Sequence, residues 1–133
     1  MNILITYDEI SDYIRNEFNF RPILTRIDKD AIIVSCKPGV LAPTVSMDLK
    51  IKAVRKDLIC LSWDSSPVIL MIMKVMMAFK RIKNHDAIDI FVQDKLINIY
   101  PQHLFQLGRV LEHVVLLDMM FEENVVDLQL DII

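Results

Sequence analysis

The nine residues Val45-Ser46-Met47-Asp48-Leu49-Lys50-Ile51-Lys52-Ala53 (VSMDLKIKA) decide the fold class of this chain. Val45, Met47, Leu49, Ile51 and Ala53 alternate with Ser46, Asp48, Lys50 and Lys52. This period of two sets one face of a β-strand in a core and leaves the other in water. Arg55-Lys56-Asp57 then turns the chain into a second apolar run, Leu58-Ile59-Cys60-Leu61-Ser62-Trp63. A short charged turn between two such runs is a hairpin signature, and it makes the pair antiparallel.

The same pattern recurs on both sides. Residues 22–27 and 31–36 flank Asp28-Lys29-Asp30, residues 88–92 and 96–100 flank Gln93-Asp94-Lys95, and residues 114–121 and 125–132 flank Glu122-Glu123-Asn124. The spacing predicts about eight strands in four hairpins. Thr6-Tyr7-Asp8-Glu9 is a capping box, and Ile10, Tyr13, Ile14 and Phe18 follow at helical spacing, which predicts an amphipathic helix over 7–18. Pro101 opens another, carrying Leu104, Leu107 and Leu111.

Between the second and third hairpins lies SPVILMIMKVMMAFKR, residues 66–81. Ser66 offers a cap, Pro67 suits the first helical position, and Lys80, Arg81, Lys83 and His85 gather where the negative end of the dipole falls, so a helix over 67–83 is expected. Its apolar run is interrupted by Lys74 and falls short of the roughly 20 residues a bilayer requires, so no transmembrane span is expected. Ile69, Ile72, Met76 and Phe79 share one side, yet Lys74 on the opposite side stands among Leu70, Met71 and Met77. A helix apolar all round must be covered all round.

The expected fold is therefore α+β: a strongly curved antiparallel sheet of about eight strands packed around a buried Met-rich helix, with two further amphipathic helices, in a single domain over 1–133. Met71, Met73, Lys74 and Met77 then have two readings. Either they are plain core from which Lys74 snorkels to water, or they line a deformable site for a hydrophobic small molecule, a lipid or a partner's apolar segment.

Composition sets the outer limits. One domain suits 133 residues, and the 53% share of AVILMFWYC residues exceeds the usual soluble proportion and needs covering. Two glycines in the chain exclude a Gly-rich phosphate loop. A net charge of −3 gives no general attraction to nucleic acid, so none is expected as a partner. The N-terminal MNILITYDE lacks a basic n-region, which reads as cytoplasmic rather than secretory. Cys36 and Cys60 fit reduced, buried thiols better than a disulfide.

Catalytic signals are weak. His103 and His113 are ten residues apart rather than four, so one helix cannot chelate a metal with both, and neither a metal nor another cofactor is expected. His85-Asp86 are adjacent and point apart on any regular element. Ser62, Ser65 and Ser66 lie near Asp64 without a G-x-S-x-G elbow. Charge is the more informative feature. Lys50, Lys52, Lys80 and Arg81 suggest a basic patch, with Arg55 and Lys56 nearby, whereas Asp118, Glu122, Glu123, Asp127 and Asp131 make the C-terminal part acidic. The resulting expectation is a non-enzymatic binding module. The alternative is a structural or accessory protein that self-associates as a homodimer through excess apolar surface, and an enzyme of unknown class ranks third.

Overall fold

The computed structural model describes residues 1–18, 20–36, 44–64, 86–104, 109 and 112–132, with the side chains of Phe18 and Cys36 left aside. In chain order its elements are β1 (Asn2–Thr6), α1 (Tyr7–Phe18), β2 (Ile23–Asp28), β3 (Ala31–Cys36), β4 (Val45–Arg55), β5 (Leu58–Asp64), β6 (Ile88–Phe91), β7 (Leu96–Ile99), a 3-10 turn (Pro101–His103), β8 (Val114–Phe121) and β9 (Val125–Ile132). The strands form two antiparallel sheets. One has the order β1-β9-β8 and the other β2-β3-β4-β5-β7-β6.

Local chemistry accounts for most boundaries. Glu9 N–H donates to Thr6 Oγ1 at 3.1 Å and Thr6 N–H donates to Glu9 Oε1 at 3.4 Å, the reciprocal bonds of the capping box that starts α1. The β2–β3 turn is closed by Asp30 N–H donating to Asp28 Oδ1 at 2.8 Å, an Asx device that replaces glycine. The β6–β7 turn instead places Lys95 at a φ of 55°, in the left-handed region. Lys95 O there accepts from Trp63 N–H at 3.1 Å, tying the turn to β5.

All four predicted hairpins form, with β3 and β4 also paired across residues 37–43. Pairing sets Ile32 beside Leu49, Leu49 beside Trp63 and Ile51 beside Leu61, so alternate residues make one apolar face on the larger sheet. On the smaller sheet Ile5 pairs with Val126, Phe121 with Val126 and Leu116 with Leu130. These faces contribute to one core that also takes in Tyr7 and Met119.

Three expectations are corrected. The single strongly curved sheet is replaced by two sheets of six and three strands, neither strongly curled. The physical reason is that the two apolar faces share a core and cover each other, so the hairpins do not need a helix as their common cover. The arrangement of three helices with a Met-rich one at the centre is likewise not found: α1 is the one complete α-helix among the described residues. The predicted 67–83 segment lies outside the described residues. Beyond Pro101 the chain makes only a 3-10 turn, because its C-cap Leu104 is extended at φ −109° and ψ 142°. The rest of that predicted helix falls mostly on residues not described.

The third correction is one of phase. The register shifts between Ile51 and Ala53, so Lys52 is the extra residue of a bulge, Ala53 pairs with Cys60 on the outer face, and Val54 pairs with Ile59 on the core face. Strand β1, unanticipated, arises because the apolar run ahead of the capping box finds the other side of β9.

Two outcomes test this account. Lys95→Gly is expected to raise the unfolding free energy by about 0.5–1 kcal/mol, because glycine removes the left-handed penalty and returns part of the gain as chain entropy. The readout is a higher urea midpoint at unchanged slope. Phe121 is 3% exposed in the shared core, so Phe121→Ala is expected to cost about 3–5 kcal/mol and to lower the midpoint of both sheets together. Separate transitions for the two sheets would contradict a shared core.

Candidate functional site

A cleft of about 580 Å³ opens where the two sheets meet, lined by Thr6, Tyr7, Asp8, Leu24, Thr25, Arg26, Glu123 and Asn124. One wall is the start of α1. Tyr7 is buried, its N–H donates to Asn124 O at 3.1 Å, and its hydroxyl donates to Glu122 O, which clamps the helix start onto the β8–β9 turn. The other wall is β2, an edge strand of the larger sheet. Arg26 there is exposed, and its Nε–H donates to Phe121 O at 2.9 Å.

The charges of the cleft are mixed. Asp8 reaches outward to Arg21 Nη2 at 3.4 Å, while Arg21 Nε–H donates to Asp12 Oδ1 at 3.1 Å. These hydrogen bonds, Asp12 first, hold the Arg21 guanidinium above its ordinary pKa. Burial raises the Tyr7 hydroxyl, with Arg26 pulling it down and Glu122 pushing it up, and the net shift is upward. Tyr7 is accordingly a neutral donor near pH 7 with its proton already committed to a backbone carbonyl. The cleft can bind through hydrogen bonds and apolar contact with Leu24, but Tyr7 is no base.

The sequence-predicted residues do not converge on this cleft. Met71, Met73, Lys74, Met77, Lys80 and Arg81 lie outside the described residues. Lys50 is exposed on the outer face of β4, opposite Ser62 and Ala31, and Lys52 occupies the bulge. His103 and His113 are both exposed, at the end of the 3-10 turn and just before β8, and His85 is outside the described residues. Cys60 is a free, half-buried thiol on the outer face of β5. Among the described residues no group of three or more His, Cys, Asp or Glu is placed to hold a metal ion. No helix among them is long and apolar enough to cross a membrane, which leaves strand-built crossing unaddressed.

Sequence reading missed the cleft because its walls come from opposite ends of the chain. The capping box at Thr6 and the turn at Glu122-Glu123-Asn124 were each legible, but the β1–β9 pairing that brings them together leaves no local signal. No protein-family model, curated protein or solved structure matches this chain.

The Tyr7 environment carries a pH signature. Its folded pKa is raised, so the unfolded chain loses this proton first; the stabilisation is whole below about pH 10 and fades as pH climbs through the folded value. Tyr13 is raised by burial and by Glu17, and contributes with the same sign. Tyr7→Phe is expected to cost about 1 kcal/mol at neutral pH and to flatten the loss of stability between about pH 9 and pH 11. Denaturant midpoints measured across that range check it, and parallel curves for the two proteins would refute the assignment.

Proposed function

We propose that this protein is a non-enzymatic binding module that accepts an extended apolar segment of a partner protein along the free edge of β2. The observation that supports the reading is that edge. Among the described residues β2 pairs with β3 on one side only, and Ile23 and Ile27 are 64% and 45% exposed. An unpaired strand edge is a row of backbone donors and acceptors, and a peptide that adds to it gains main-chain bonds while its alternate side chains read the adjoining surface. Here one set of side chains enters the cleft beside Leu24 and Arg26, and the other set packs on Ile23.

The edge also carries two devices that restrain indiscriminate pairing. Arg26 places an exposed charge on the edge strand, and a register shift between Arg26 and Asp28 bends the strand's end. Selective capture of a partner is compatible with such restraint, since specificity needs features that disfavour the wrong strands. The binding class stands on this edge and not on the Met-rich segment.

A second reading is self-association through the same edge. An antiparallel pairing centred on Thr25 sets Thr25 opposite itself and Leu24 of one copy opposite Arg26 of the other, short of the bulge at Ile27.

Titration with a synthetic valine- and threonine-rich peptide separates the outcomes. Binding that is lost on N-methylation of alternate backbone nitrogens, and weakened about tenfold or more by Ile23→Lys, is the expected result. Equal binding of the methylated peptide, or no binding at all, overturns the edge reading. Sedimentation showing a dimer that Ile23→Lys dissolves selects self-association instead.

A further inference from the structure

The outer face of the smaller sheet presents carboxylates among apolar side chains, with no cation on any of its strands. β1, β9 and β8 carry Asp118, Asp127 and Asp131 but no Lys, Arg or His. Asp127 sits on the middle strand between Val126 and Leu128, which face the core, so its side chain belongs to the opposite face. It is only 5% exposed, and its Oδ1 has no hydrogen-bond partner among the described residues. Asp118 and Asp131 differ in this respect, since each accepts a neighbouring backbone N–H, at 2.8 Å from Met119 and 2.9 Å from Ile132.

Asp127 itself is nearly closed off, while its strand neighbours reach the surface. Leu4 is directly paired with it on one side and is 58% exposed; Met120 is paired with it on the other and is half-buried. A buried carboxylate lacking donors is unfavourable, and a cation delivered to it relieves that cost while the apolar flanks are covered.

We propose that this face docks a segment of a partner protein that combines apolar side chains with a lysine or arginine, the cation pairing with Asp127 and the apolar side chains covering Leu4 and Met120. Charge selects this occupant. Two copies placed face to face would set Asp118, Asp127 and Asp131 of one against the same three of the other, and an anionic surface would meet the same repulsion. The inference is independent of the β2 edge, which belongs to the other sheet.

The test uses the full chain and a short synthetic amphipathic peptide of leucine and lysine, with a leucine and glutamate peptide as its counterpart. The lysine peptide is expected to bind, more weakly as salt rises, and the glutamate peptide is not. Asp127→Asn, near-isosteric and checked for folding by circular dichroism, is expected to weaken binding about tenfold or more. Asp57→Asn, which removes the same charge from the β4–β5 turn, should leave it unchanged. Leu4→Lys should abolish it. Equal binding of both peptides, wild-type affinity in Asp127→Asn, or no binding overturns the proposal. Concentration-dependent assembly of the chain alone, dispersed by salt and by Leu4→Lys, also overturns it, by identifying the occupant as the basic surface of a second copy.

Discussion

The backbone of Phe121 holds the two sheets together. As the last residue of an edge strand it has an N–H and a carbonyl that pairing with β9 leaves free, and the larger sheet takes both: the N–H donates to Lys29 O at 2.8 Å, and the carbonyl accepts from Arg26 at 2.9 Å. Its side chain meanwhile sits in the shared core. One residue thus satisfies its own polar groups, fixes the β2–β3 hairpin against the C-terminal hairpin, and fills the apolar interior between them. Tyr7 completes the joint from the other side by bonding Glu122 and Asn124. The cleft is a consequence. Arg26 is committed to Phe121, so the last part of β2 is anchored while its outer edge, among the described residues, stays unpaired beside α1.

What could be read from the sequence follows the range of the interactions. The α1 boundaries were legible because Thr6 and Glu9 are three residues apart and bond each other. The hairpins were legible because the turns Asp28-Lys29-Asp30, Arg55-Lys56-Asp57 and Glu122-Glu123-Asn124 join strands that are adjacent in the chain. The sheet to which each hairpin belongs was not legible. Alternation at Val45, Met47, Leu49 and Ile51 demands a cover for one face and does not say whether that cover is a helix or a second sheet. The Lys52 bulge escaped because inserting one residue changes the phase without disturbing hydrophobicity: Ala53 and Val54 are both apolar, and only pairing with Cys60 and Ile59 tells them apart.

The sheets differ in charge, the larger one mixing bases with Asp28, Asp48, Asp64 and Asp89 on its strands. The larger one carries exposed Lys50, Lys52 and Arg55 on β4, whereas the smaller one has acids and no bases on its strands. A charged group on the wet face of a strand is ordinary and of small energetic weight. Lys50 and Lys52 fit that description, exposed beside serine and at a bulge, so proximity in sequence alone made them look like a site. The groups with more at stake are those removed from water, Tyr7 and Asp127, and no sequence motif marks the latter.

Asp127 is the case in which fold and function separate. Middle strands favour β-branched and aromatic residues, and aspartate is among the poorer choices there. Val126, Leu128 and Leu130 on the same strand satisfy the core without it, and a threonine at 127 would pair as well with Leu4 and Met120 while adding no buried charge. The two other acids of that face are retained at no comparable cost, because each bonds a neighbouring N–H. The fold therefore accounts for Asp118 and Asp131 as satisfied polar residues but gives no reason for a carboxylate at 127. A role that draws on its charge supplies that reason, with the sheet's own stability lowered until a cation arrives.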